Sequence, residues 1–447
     1  MGRKSSSPQV SQQLKQAIDE SRLFARYQRM VQIGALAVNP GAANSSVGRT
    51  APGVDRMAFS VEDLACRSLL INWAEDCGLE VYLDEIANLS IRRPGRDREA
   101  APVTIGGYID APGQGQPHEG LIGALVGLEV LEALVDMGLE TERSVEMTVW
   151  SNTQGERFGP ALMGSQVKAG GLALEACRGL VDDRGIRLDD TIERMFDTFS
   201  NAMPRSRLTP IAWYIEPILD PGPTLAERDA TLGLITGVDA MGIIRLRLTG
   251  RASSVPNTAR DHIRDPLRLG LHMIHEMEAL IDQRFAHVTG LRSAISMLDV
   301  EPFKPGLVPE RVSIDWSLYG PDDDQIQTVV TAAEAEISEI AAGITCHVDA
   351  SLSRNAVAFD ADLIDQAKVL AHGDSIRLIE MSYGQPSNAG VLAAGGVPAV
   401  QIAIPNRHFL GVASERVVAK PDLAHLARLV GRMATMIAMG TDWSAQD

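Results

Sequence analysis

PVTIGGYIDAPGQGQPHEGLIGALVGLEVLEALVDMGLETERSVEMTVWSN, residues 102–152, is the stretch that decides the fold. PVTIGGYID reads as a buried strand that ends in a Gly-bracketed polar tip. Residues 118 to 137 read as a helix of Leu, Val, Ile and small residues, and SVEMTVWSN as a second buried strand. Strand, crossover helix and strand in succession form the unit of an α/β layer architecture with a largely parallel sheet. Polar groups at the C-terminal ends of such strands are then the place to look for a site.

Upstream, Ser60 can cap the periodic segment VEDLACRSLLINWAEDCG, Gly78 suits its stop, and LEVYLD follows as a strand. Downstream the texture changes near residue 228. GIIRLRLTG, the helix DPLRLGLHMIHEMEALIDQRF, the strand RVSIDWSL, a helix from Asp322 to Ala341 and the strand TCHVDASL give a β-α-β-β-α-β-like order. An inserted α+β domain is therefore expected over residues 228–350, with 1–227 and 351–447 forming one discontinuous α/β domain. After residue 351 come a helix over Asp360 to His372, the loop MSYGQPSN, the apolar run PAVQIAIP and an amphipathic helix from Pro421.

With 447 residues the chain is about three times the ~150-residue domain prior, which rules out a single small module. Forty-one Lys and Arg against 58 Asp and Glu give a net charge of −17, so neither nucleic acid nor an anionic membrane is expected as a partner. Cys66, Cys77, Cys177 and Cys346 form no CxxC or Cys/His cluster of the kind that holds structural zinc. The N-terminal residues are polar and no run of 18 apolar residues occurs, so a soluble, cytoplasmic protein is expected.

Six segments carry a resemblance: PGVDRMAFSVEDLACRSLLINWAEDCGLEVYLDEIANLSIRRPG, GGYIDA with GLIGALVGLEVLEAL, WSNTQGERFGPALMGS, YIEPILDPGPTL and NAGVLAAGGVPAVQIAIPNR. In this order, from about Gly53 to Leu423, they resemble the amidase/carbamoylase family of co-catalytic zinc hydrolases. That family includes N-carbamoyl-L-amino acid hydrolases, allantoate amidohydrolases and β-ureidopropionases. The resemblance implies a zinc-aminopeptidase-like catalytic domain, an inserted ferredoxin-like lid domain that also dimerises, and a site at their cleft.

The same resemblance implies that the chemistry-bearing positions are altered. Tyr108 stands where the family has a ligand His, and Asp110 matches the Asp that supports that His. Glu119 stands for the bridging Asp. Thr153 and Gln154 replace a general-base Glu and a ligand Glu, while Ile218 and Val412 replace two ligand His residues. On the lid, Ser254, Gly306 and Tyr319 replace a His, an Asn and an Arg, and Ser387, Asn388 and Ala389 replace an HDA triplet. Paired catalytic zincs need several His or carboxylate donors, and a Thr hydroxyl cannot serve as the general base. No metal and no other cofactor is expected.

Each retained group keeps a plainer alternative. Asp110 suits either a turn cap or proton transfer. His118 and Glu119 suit either the positive end of a helix or an acid/base pair. Asp220 suits a turn carboxylate as well as ligand contact, and Arg407 and His408 match a loop that closes on the cleft in the family. His272 and His275 suit a packed or surface role. The replacements nevertheless keep the site polar. The proton-transfer candidates are thus Glu119, His118 and Asp110. Tyr108, Thr153, Gln154, Asp220, Ser254, Ser387, Asn388, Arg407 and His408 are the candidate ligand-binding groups. The sequence leaves three functions open: a metal-independent enzyme acting on a small amide, ureide or amino-acid-derived substrate, a catalytically silent binding or regulatory subunit, and the family's zinc hydrolase. A homodimer through the inserted domain is expected.

Overall fold

The computed structural model describes residues 7–36, 54–111, 120–338, 340, 344–407 and 418–440. Two compact units emerge: Met1–Thr236 with Phe359–Met381 and Ser387–Asp447, and Gly237–Ala358 with Ser382–Pro386. The chain begins with α1 (Ser7–Ala17), α2 (Glu20–Met30), α3 (Val61–Asp76), β1 (Glu80–Leu83), β2 (Leu89–Arg93), β3 (Val103–Gly107), α4 (Leu121–Asp136), β4 (Val145–Val149), α5 (Met163–Ala169), α6 (Leu174–Arg178), α7 (Leu188–Thr198), β5 (Met203–Pro204), β6 (Trp213–Leu219), α8 (Thr224–Glu227) and β7 (Leu232–Val238). There follow β8 (Ala240–Thr249), β9 (Ser253–Ser254), α9 (Pro266–Leu280), β10 (Arg292–Glu301), β11 (Leu307–Val308), β12 (Arg311–Gly320), α10 (Asp323–Ser338), β13 (Thr345–Arg354) and β14 (Val357–Ala358). The last elements are α11 (Ala361–Gly373), β15 (Leu378–Tyr383), α12 (Asn388–Ala394), β16 (Ala399–Ile404) and α13 (Lys420–Ala438).

In the first unit the strands run β7-β16-β6-β3-β4-β2-β1-β5, with β15 also pairing with β7. β16, β6, β3 and β4 are mutually parallel. One face of this sheet is apolar: Val103, Ile105, Val145, Met147 and Val149 join α4 and α13 in the main core. α4 is buried all round, which its nearly uncharged sequence permits. It lies so close to β3 that a Cβ on Gly123 would come within 2.2 Å of the Gly106 carbonyl oxygen, hence the small residues of GLIGALVG.

The other face is polar. Gln401 on β16 pairs directly with Glu216 on β6, Gly106 on β3 with Thr148 on β4, and Thr148 with Ser90 on β2. Gly106 has no side chain because the Tyr214 hydroxyl occupies that space, 2.1 Å from where a Cβ would stand.

α1 and α2 come from N-terminal sequence that reads simply as polar. Arg22 and Arg26 on α2 reach Glu129 and Glu132 on α4 at 2.7–3.0 Å. These are the two acidic residues inside the apolar helix, so each end of the contact explains the other.

The second unit is a four-stranded antiparallel sheet, β10-β12-β8-β13. α9 and α10 pack on Ile244, Leu246, Leu248, Ile314, Trp316 and Leu318 to form its own core. Among the described residues no helix is long and apolar enough to cross a membrane.

Candidate functional site

The four parallel strands end together, at Gly107, Val149, Leu219 and Ile404. Immediately beyond them lie Tyr108 to Asp110, Trp150 to Gln154, Asp220, and Pro405 to Arg407.

Asp110 is buried, at 5% exposure. Its Oδ2 accepts the Gln154 backbone N–H at 2.8 Å, which ties the end of β3 to the end of β4. Oδ1 has no hydrogen-bond partner among the described residues. Burial pushes the Asp110 carboxyl up to about 6; the Gln154 N–H offsets part of that effect and the nearby Asp63 charge adds to it. The backbone on either side is fixed by Arg56, which is fully buried. Arg56 exchanges backbone hydrogen bonds with Ala111 and its guanidinium donates to the Ile109 carbonyl at 2.5 Å.

Thr153 is buried with its hydroxyl unpartnered among the described residues. The loop that carries it is held by Asn152, in a left-handed conformation (φ 51°), whose amide donates to the Phe158 carbonyl, and by the Leu162 N–H, which donates to the Thr153 carbonyl. Behind it the buried pair Asp63–Arg67 reaches the Ser151 hydroxyl and the Ala87 carbonyl.

At the end of β6 the arrangement is different. Asp220 accepts the Gly222 and Leu225 N–H groups at 2.9 and 3.0 Å, so its carboxylate closes the turn into α8. Ile218, buried on β6, has a hydrocarbon side chain. Ser387 caps α12 by accepting the Gly390 N–H at 3.1 Å. Asn388 is buried between Ser165, whose hydroxyl donates to it at 2.7 Å, and Glu216, to which its amide donates at 3.0 Å.

Glu216 is the group that the sequence reading did not single out. It is 1% exposed and accepts the Ala389 N–H, the Asn388 and Gln401 amides and the Tyr214 hydroxyl at 2.8–3.3 Å; Tyr214 in turn accepts Trp150 Nε1 at 2.7 Å. Burial raises its pKa despite these donors. The available signal was a lone acidic residue within the buried strand WYIEPIL.

Arg407 makes a two-pronged ion pair with Asp422 at 2.7 and 2.9 Å, which commits it to anchoring α13. In the second unit Ser254 accepts the Asn257 amide at 3.0 Å, and Tyr319 stands on β12. His272, on α9, lies 3.6 Å from Glu276 at the surface. His118, Glu119, His408 and Val412 lie outside the described residues. Among the described residues no group of three or more His, Cys, Asp or Glu is placed to hold a metal ion.

No family model matches the chain. An N-carbamoyl-L-amino-acid amidohydrolase of Rhizobium meliloti is 26% identical over 353 residues, 78% of this chain and 80% of that protein. The crystal structure of a hydantoinase/carbamoylase family amidase from Burkholderia ambifaria superposes with a TM-score of 0.82 at 26% identity, covering 96% of this chain and 98% of the other. Aminopeptidase PepT from Bacillus cereus, at 15% identity and a TM-score of 0.59 over 94% of this chain and 100% of that one, shares the fold. The conserved order of elements, the polar ends of the parallel strands and these likenesses together place the chain in the hydantoinase/carbamoylase family of amidases.

Proposed function

We propose that this chain is a carbamoylase-fold enzyme that works on a small amide, ureide or amino-acid derivative without the family's pair of zinc ions. The supporting observation is Asp110: a buried carboxyl at a strand end, poised near pH 6, with one oxygen pinned and the other unpartnered among the described residues. Such a group can take or return a proton near neutral pH. Thr153 and Tyr108 supply hydroxyls at the same strand ends. His118 and Glu119, by their place in the sequence just before α4, join Asp110 as acid/base candidates.

The donor set does not fit two zinc ions. Of the five positions that the resemblance assigns to ligands, Glu119 alone keeps a carboxylate, Tyr108 offers a phenol, Gln154 a neutral amide, and Ile218 and Val412 nothing. Asp110 gives one of its oxygens to the Gln154 N–H. No step is therefore routed through a metal.

Turnover of N-carbamoyl amino acids, ureides and simple amides, measured with a chelator present and in the Asp110→Asn variant, tests this reading. Activity that resists chelation and is lost in Asp110→Asn is the expected result. Activity that needs added zinc would overturn the metal-independent reading. Saturable binding with no turnover would instead identify a silent binding subunit.

The same reading includes a homodimer through the second unit. β10 is a sheet edge, and Ile295, Met297 and Leu298 on it, with Leu271 on α9, are 37–53% exposed. An exposed apolar edge strand is suited to pairing with a second copy. Light scattering at micromolar concentration should give twice the chain mass; a monomer mass would contradict it.

A further inference from the structure

We infer that the cleft around Tyr82, in the first unit, binds a small phosphate monoester through Arg92, Arg98 and Arg205. Glu80 on β1 is the direct ladder partner of Arg92 on β2, and Arg92 of Glu146 on β4, so the three share the polar face of the sheet. Glu146 follows the first residue of β4, which puts this row at the opposite end of that strand from Val149 and the candidate site. Arg205 arrives from β5, which pairs with β1, and its backbone N–H donates to the Leu83 carbonyl at 2.9 Å. Arg98 comes from the turn before β3, where Asp97 accepts the Glu99 and Ala100 N–H groups at 3.0 Å.

The three guanidinium groups are oriented without being saturated. Arg92 and Arg205 lie 5.4 and 5.6 Å from the centre of the Tyr82 ring, and both donate to the same oxygen of Glu146, at 2.9 and 2.5 Å. The Arg205 and Arg92 charges outweigh burial and hold the Glu146 carboxyl below its ordinary value. The Tyr82 hydroxyl and Arg98 take one oxygen each of Glu80. Each arginine side chain thus spends a single nitrogen on a carboxylate among the described residues. The Arg205 side chain is 9% exposed, and its Nη2 is buried with no partner among the described residues. A buried donor of this kind is costly unless something accepts from it.

Tyr82 and the three arginines line a cleft of about 480 Å³, within the size range of small-molecule sites. Guanidinium groups from three separate segments suit a tetrahedral phosphate, whose terminal oxygens face several directions. A carboxylate, by contrast, is satisfied by a single guanidinium fork. Glu80 and Glu146 neutralise two of the three positive charges by direct contact. Glu99 also borders the cleft, but it is exposed to solvent, where screening weakens its effect on the remaining charge. Pro102, Pro210 and Leu208, the last 70% exposed, give the cleft an apolar wall for the organic part of an ester.

Calorimetric titration of the full chain with AMP, inorganic phosphate and adenosine tests the site. AMP should bind saturably, phosphate more weakly and adenosine not at all. Arg98→Gln should weaken AMP binding about tenfold, and Leu208→Ser about threefold with no effect on phosphate. Glu99→Gln should tighten both anions, and Arg245→Gln, on the second unit's sheet, should change neither. Arg205→Gln should abolish binding; should it fail to fold, Arg98→Gln decides, since the Arg98 side chain is 61% exposed. No saturable binding of AMP or phosphate to the wild type, unchanged AMP affinity in Arg98→Gln, or an equal loss in Arg245→Gln would overturn the site. Adenosine binding as tightly as AMP would overturn the phosphate assignment, and phosphate binding as tightly as AMP would overturn the ester.

Discussion

The ends of β3 and β4 and the junction of β6 with α12 lie at the same end of one parallel sheet, yet they treat their buried carboxylates in opposite ways. Glu216 and Asp220 are surrounded by donors: Glu216 by two amides, a backbone N–H and a phenol, Asp220 by two backbone N–H groups. Among the described residues Asp110 accepts the Gln154 N–H on Oδ2 and nothing on Oδ1, and the Thr153 hydroxyl beside it has no partner. A saturated carboxylate holds structure together. An undersatisfied one costs stability, and such costs concentrate where a protein does chemistry.

The largest effect should come from breaking the saturated region. Glu216→Ala leaves the Asn388 and Gln401 amides and the Ala389 N–H buried without an acceptor, at a cost of about 3 kcal/mol or more. Denaturant unfolding should show that loss, and Glu216→Gln should cost distinctly less. Equal, small costs for both would mean that Glu216 does not hold α12.

Asp110→Asn should act in the opposite direction. The folded carboxyl titrates near 6 against an ordinary 3.8, so the folded state keeps a proton that the unfolded chain has already released. Stability therefore falls as pH rises from about 4 to about 6, and the penalty is present in full above that window, on the order of 2–3 kcal/mol at neutral pH. Asn removes it and still accepts the Gln154 N–H. The variant should melt a few degrees higher than wild type at pH 7.5 and show no gain at pH 3.5, while losing turnover. A lower melting temperature at pH 7.5 would place Asp110 with Glu216 among the structural carboxylates.

Thr153→Val is the smallest test. It removes a buried hydroxyl that has no partner among the described residues, so stability should rise slightly, by less than about 1 kcal/mol. A loss of more than 1 kcal/mol, measured by denaturant unfolding, would show that the hydroxyl is used.

The α/β unit around residues 102–152 was legible because its strands are buried on both sides of their ladders and its helix is apolar throughout. Three of the four strands of the second sheet and both of its helices were legible for the same reason, since alternation along GIIRLRLTG and RVSIDWSL matches one covered face, whereas β10, exposed almost along its whole length, was not read as a strand. α1 and α2 were not. α2 is held by Arg22 and Arg26 meeting Glu129 and Glu132 more than a hundred residues away, α1 by Ser11 and Lys15 meeting Arg432 and Asp374, and no local pattern announces such partners. At the site, Asp110, Thr153 and Gln154 could be found from their place after buried strands. Glu216 could not be ranked, because its four donors come from β6 itself, β16 and α12 and converge only in the folded chain. Asp220 shows the reverse: its turn role follows from its own neighbours, Pro221 to Leu225.

Elemental analysis of protein purified from zinc-supplemented medium, after dialysis against a weak chelator, bears most directly on whether a strand end with Tyr108, Gln154 and Ile218 at ligand positions has left the family's chemistry. Zinc well below one ion per chain, in protein that still turns over or binds N-carbamoyl amino acids, is the expected result. Two tightly held zinc ions per chain would contradict it.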